Sequence, residues 1–170
     1  MARFKEIKAL TGAGSYWVDV PLSYLPRTID RWKEEDRLQL NPDFQRGHVW
    51  TENQQISFVE FLLRGGESGR LVYFNHPGWM GSFIGDFVCV DGLQRITAIL
   101  RFFNNEIPAF GSFYSEYEDR IDSTNSIRIN VNNLKTKKEV LQWYIEMNSG
   151  GTPHSTKELE RVRKMMDELE

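Results

Sequence analysis

Apolar positions along the chain fall into short runs of two different periods, and the alternation of those runs predicts a mixed α and β fold. Residues 17–20 read as a short strand, after which Pro21 opens a helical stretch with Leu22, Leu25, Ile29 and Trp32 at helical spacing. Pro26 falls inside that stretch and is expected to interrupt it, leaving two short turns. A helix is predicted over 52–63. Thr51 and Gln54 have capping-box spacing, Ile56, Val59, Phe61, Leu62 and Leu63 supply the apolar face, and Arg64-Gly65-Gly66 ends it. Residues 71–74 form a strand, and the unbroken apolar run at 87–90 has the pattern of a central one. A helix then covers 93–104, with Ile96, Ile99, Leu100 and Phe103 as its buried stripe. Residues 127–131 alternate apolar and polar, as a half-exposed strand does. Further helices are expected over 136–147 and after Ser155, which has Glu158 three residues on.

The segments between these elements are irregular: 40–50, 77–85, a Gly/Ser/Tyr-rich excursion at 108–126, and a loop at 148–153. No repeat and no long linker divides the chain. The expectation is an α+β fold, with a lead-in over 1–14 and one domain over 15–170, a small mixed sheet flanked by helices.

Composition narrows the functions open to such a domain. With 170 residues, 40% of them hydrophobic, the chain can build a core without staples. A net charge of −3 is not the broad basic footprint of a protein that grips DNA unaided. Local patches remain, at Lys135, Lys137 and Lys138 or at Arg161, Arg163 and Lys164. Both are mixed with acids and read equally well as solvated helix faces. The single cysteine, Cys89, makes neither an intramolecular disulfide nor a Cys-based zinc site, and its neighbours mark it as a small buried hydrophobe. His48, His76 and His154 are not spaced as metal ligands. The first residues lack the apolar stretch of a signal peptide, and no window approaches the roughly 20 apolar residues of a membrane span. A cytoplasmic protein with no membrane partner is expected.

Three segments carry candidate chemistry. The strand-to-helix junction Val90-Asp91-Gly92-Leu93-Gln94-Arg95 comes first. A helix start leaves backbone N–H groups unpaired at the positive end of the dipole, so it suits an anion. Gly92 would let a phosphate approach the backbone, the amides of Leu93 and Gln94 would face it, and Arg95 would offer its fork. Asp91 reads as a metal ligand, as a group orienting a water or hydroxyl, or as a plain helix cap. The second segment, Asn41-Pro42-Asp43-Phe44-Gln45-Arg46-Gly47-His48-Val49-Trp50, is dense in hydrogen-bonding groups. Gln45 and Arg46 could close over a phosphate or base, Phe44 and Trp50 should anchor the loop in the core, and His48 reads as structural or as a base. The third runs from Asn148 to Ser155, where Gly150 and Gly151 suggest either close backbone approach to a ligand or an ordinary helix–helix turn.

Taken in order, these segments, with Val-Asp-Gly-Leu-Gln-Arg-Ile-Thr-Ala-Ile at 90–99 and Met-Asn-Ser-Gly-Gly-Thr-Pro-His-Ser at 147–155, resemble the GmrSD-type restriction-protein N-terminal domain family of the ParB/sulfiredoxin superfamily. The resemblance extends over roughly 15–165. The family's usual central motif is Asp-Gly-Gln-Gln-Arg, and Leu93 stands here in place of its first Gln. The resemblance implies a ParB/sulfiredoxin-like fold in which the Gly92-x-x-Arg95 kernel binds nucleotide phosphates. It also implies a short standalone member of the kind phages encode, or a piece of a longer protein.

The function expected on these grounds is binding and hydrolysis of a nucleoside triphosphate (ATP, GTP or CTP) with Mg²⁺, in a DNA-directed restriction, anti-restriction or DNA-modification system. Asp91, Arg95, Gln94 and Arg46 would carry the chemistry, with Asp91 as the metal ligand. Gln45, Arg46, Gly92, Leu93, Gln94, Arg95, Asn148, Gly150 and Gly151 would hold the nucleotide. The same residues would serve a kinase acting on a hydroxyl such as that of a hydroxymethylated DNA base, or a binding module without turnover. DNA or a DNA-processing protein is the expected partner, and a homodimer is compatible with the sequence. A nuclease is the weakest reading, since it would need carboxylates such as Asp43, Asp86 and Asp91 to converge.

Overall fold

The computed structural model describes residues 3–11, 15–45, 47, 49–149 and 156–169. Four strands, β1 (Tyr16–Pro21), β2 (Leu71–Asn75), β3 (Val88–Asp91) and β4 (Ser126–Asn132), form one sheet in the order β1-β4-β2-β3. The outer pairs are antiparallel and β4 runs parallel to β2, so the sheet is mixed. Among the described residues five helices accompany it: α1 (Leu25–Glu35), α2 (Glu52–Leu63), α3 (Leu93–Phe103), α4 (Lys137–Ser149) and α5 (Thr156–Asp167). Within the lead-in, a single 3-10 turn covers Phe4–Glu6.

Two strands differ from expectation for instructive reasons. β3 is an edge strand, not a central one. Its free edge is covered by the chain before α2: Gln39 N–H donates to the Phe87 carbonyl at 2.8 Å, and Cys89 N–H donates to the Gln39 carbonyl at 2.9 Å. The Gln45 side chain donates to the Cys89 carbonyl at 2.6 Å. With both faces packed and the edge closed, Val88, Cys89 and Val90 are apolar and buried. β4, expected half-exposed, lies inside the sheet. Ile127, Ile129 and Val131 enter the main core, while Asn130 and Asn132 are buried on the other face. Asn130 Nδ2 reaches Ser15 Oγ at 2.7 Å, so its polarity is satisfied by protein instead of water. Within β4 Arg128 alone is exposed, paired with Asp19 across the strands at 2.8 Å.

Pro26 starts α1 where it was expected to interrupt a helix. It sits in the first turn, where its missing N–H costs nothing, after a 3-10 turn at Leu22–Tyr24. Leu22, Leu25, Ile29 and Trp32 are all buried, as their spacing predicts. α2 has the expected bounds and the expected capping box between Thr51 and Gln54. Its core residues are Gln55, Val59 and Leu62, whereas Phe61 is 43% exposed. In α3, Ile96 and Ile99 are buried with Leu93, Ala98 and Phe102, while Leu100 and Phe103 are only partly covered. The 108–126 excursion folds back on α2 and α3 around Ile107 and Ala109, with the Tyr117 hydroxyl donating to the Ala109 carbonyl at 2.6 Å. α4 continues through Asn148 and Ser149, where a loop was expected. No helix among the described residues is long and apolar enough to cross a membrane.

Candidate functional site

β3 hands over to α3 at Asp91-Gly92. The ladder with β2 loses step there: Phe74 faces Cys89 but Tyr73 faces Asp91, so β3 carries one extra residue. Such a bulge re-aims the side chain that follows it. Gly92 is the N-cap of α3 at φ 123°, and no side chain caps the helix. A Cβ at Gly92 would lie 2.4 Å from Val72 Cγ1. The glycine is therefore demanded by the close pass over β2 and by its own backbone angle. This differs from the expectation that its bareness serves a ligand.

Asp91 and Arg95 form an ion pair across the first turn at 2.5 Å, their side chains 39% and 19% exposed. Gln94 is spent on the neighbouring loop. Its Nε2 donates to the Gly47 carbonyl at 2.7 Å, and its Oε1 accepts from the N–H groups of Val49 and Trp50 at 2.9 and 3.0 Å. The expected catalytic Gln94 is thus, in this structure, the staple between the second and first motifs.

The loop before α2 is pinned at other points too. Phe44 is buried and meets Tyr144 edge-on at 5.4 Å. Arg161 of α5 donates to the carbonyls of Asp43 at 2.8 Å, Phe44 at 2.8 Å and Gln45 at 3.3 Å. Lys137 pairs with Asp43 at 2.6 Å, and Lys135 donates to the Pro77 carbonyl. Three of the basic clusters' members, Lys135, Lys137 and Arg161, are therefore engaged in holding loops, which weakens their reading as a nucleic-acid patch. Trp50, expected in the core, is only half-buried and stands edge-on to Phe58 at 5.3 Å. Arg46, His48, Gly150 and Gly151 lie outside the described residues.

These elements enclose an open cavity of about 620 Å³, in the ordinary range for a small-molecule site. Gln45, Trp50, Asp91, Gly92, Leu93, Gln94, Arg95 and Asn148 all line it, so described residues of all three motifs converge. No local signal in the sequence marks Ser57, Phe58 and Phe61 of α2, Ser68 and Gly69, which also line the cavity. Asn148 also donates to the Tyr144 carbonyl of its own helix at 2.7 Å. No residue of 111–125 lines the cavity.

Two other groups, Cys89 and His76, are buried in the fold. Burial pushes the Cys89 thiol up to about 12, which makes it a poor nucleophile. His76 is buried among Trp79, Phe83 and Phe87, accepts the Gly78 N–H at 3.0 Å, and has its pKa lowered by that burial. Among the described residues no three His, Cys, Asp or Glu side chains are grouped to hold a metal ion, so Asp43, Asp86 and Asp91 do not form the cluster a nuclease would use.

The fold and the cavity define a mixed α/β domain with a helix start that no side chain caps and an arginine lining an open pocket. A family model described as the GmrSD restriction endonuclease N-terminal domain matches residues 31–124, and the chain belongs to that family. The match takes in the first two motifs and stops short of the third. No curated protein matches the chain.

Proposed function

We propose that this chain binds a nucleoside triphosphate, ATP, GTP or CTP, with its phosphates at the 91–95 turn, and transfers the terminal phosphoryl group within a DNA-directed restriction, anti-restriction or modification system. The observation that carries this reading is the start of α3: a helix without a side-chain cap, opening into a cavity of about 620 Å³, with Arg95 on its first turn. A helix start without a side-chain cap, at the positive end of the helix dipole, favours a phosphate there. One Arg95 N–H is on Asp91, and the guanidinium has further donors for a phosphate oxygen. The family's strand–helix kernel, Gly92 and Arg95, falls at this junction, in keeping with a ParB/sulfiredoxin-like fold.

Asp91 is the one site carboxylate placed to meet a phosphate-bound Mg²⁺. A single partly exposed carboxylate suits that ion, which keeps several waters and takes its other ligands from the phosphates. Mg²⁺ would supply charge neutralisation on the phosphate oxygens. The chain's own part is positional: Arg95 neutralises and orients the phosphates, and Gln94 holds Trp50 and its loop against them. With a net charge of −3, DNA is reached through a partner or a local contact, not a general basic face.

The test uses γ-labelled ATP, GTP and CTP with Mg²⁺, with and without DNA, on wild type and Arg95→Ala. Label released as phosphate supports hydrolysis, and label carried onto DNA supports the kinase form. Both should vanish in Arg95→Ala. Turnover that persists at full rate in that variant would place the chemistry elsewhere.

A further inference from the structure

A helix lying on a core needs one apolar stripe, and α2 has two. Val59 and Leu62 enter the core, and Ile56 packs with the 107–121 segment. Phe58 and Phe61 turn toward the cavity. Phe58 is partly buried, whereas Phe61 stays 43% exposed. The Phe61 ring lies over Gly66, where a Cβ would come within 2.4 Å of it, so one side of the ring is backed by main chain.

This aromatic wall is continuous with the 91–95 turn at two points. Gly69 lies between them: a Cβ there would stand 3.2 Å from the Phe58 ring and 3.8 Å from Arg95 Cδ. Trp50, edge-on to Phe58, has its N–H fixed by the Gln94 side chain at 3.0 Å. The ring wall and the first turn of α3 are thus held in one arrangement by named contacts.

We infer that Trp50, Phe58 and Phe61 form a stacking subsite for the base of a nucleotide whose phosphates lie at the 91–95 turn, an inference that rests on the preceding reading. Phe61 is the platform, because its ring is the most exposed of the helix's aromatics and its other side is supported. Every base has a π-face, so stacking of this kind tolerates purines and pyrimidines alike. The polar groups on the same wall, the hydroxyls of Ser57 and Ser68, both donate and accept. They discriminate little between bases, and both ATP and CTP are accommodated.

Calorimetric titration of wild type, Phe61→Ala and Phe61→Tyr with ATP, CTP and inorganic tripolyphosphate tests this, with thermal melts to establish that each variant folds. Wild type is expected to bind both nucleotides about tenfold or more tightly than tripolyphosphate. Phe61→Ala should lose about tenfold on both nucleotides and nothing on tripolyphosphate, and Phe61→Tyr should restore the loss. Equal binding of nucleotides and tripolyphosphate by wild type, or an equal loss on all three ligands in Phe61→Ala, overturns the stacking subsite and leaves the phosphate site standing. Failure of wild type to bind any of the three overturns the phosphate site itself.

Discussion

Two helices line the same cavity and begin in opposite ways. α2 opens with a reciprocal capping box, Thr51 N–H to Gln54 Oε1 at 2.8 Å and Gln54 N–H to Thr51 Oγ1 at 3.3 Å. α3 opens on a glycine with no side-chain cap, beside an arginine. A helix start left uncapped forgoes stability that a Ser, Thr or Asp would supply. The difference separates a start closed by its own side chains from one whose glycine is set by the close pass over Val72, and four measurements can sharpen or break it.

The largest effect is expected from Gly92→Ala. The new Cβ meets Val72 at 2.4 Å in a backbone conformation of φ 123°. Backbone strain and overpacking, each about 1–3 kcal/mol, should together cost about 3 kcal/mol or more in chemical denaturation. A variant as stable as wild type would show that the turn relaxes freely. Next is Arg95→Ala, which should weaken nucleotide binding about a hundredfold, as loss of a charge-assisted contact to phosphate does. Its stability should fall by no more than about 1 kcal/mol, since its ion pair is partly exposed. The reverse pattern would make α3's start as structural as α2's.

A third effect concerns the ground behind the open terminus. Cys89 stays protonated in the folded chain to about pH 12, against an ordinary value of 9.0. Between those values the unfolded chain holds fewer protons, so stability falls as pH rises. This group contributes a slope of up to about 1.4 kcal/mol per pH unit. Urea midpoints at pH 8 and pH 10.5 should diverge more in wild type than in Cys89→Ala. The smallest effect is Thr51→Ala, expected to cost about 1 kcal/mol of stability and to leave nucleotide affinity unchanged.

Legibility in the sequence followed how local each signal was. The α2 capping box and the α1 stripe rest on near neighbours, and both lie where their spacing puts them. The 91–95 junction was legible for the same reason. The aromatic wall was not, because periodicity groups Phe61 with Val59 and Leu62 and cannot separate a cavity-facing phenylalanine from a core one. Neither the edge position of β3 nor the burial of Asn130 and Asn132 could be read, since each depends on distant chain: Gln39 and Gln45 cover the one, and Ser15 receives the other. That Gln94 staples the loop could not be read either, because its partners, Gly47, Val49 and Trp50, are more than forty positions away.

The clamp from Arg161 onto the carbonyls of Asp43, Phe44 and Gln45 has a consequence in time. Phe44 and Arg161 are 117 residues apart. At a synthesis rate of roughly 5–20 residues per second, the loop waits on the order of ten seconds for its clamp. The sheet has all four strands before α5 is synthesised, whereas the Arg161 clamp on 43–45 is added only afterwards. Released chains truncated before residue 156 should therefore protect their strands from proteolysis while being cleaved at 41–45 faster than the full chain.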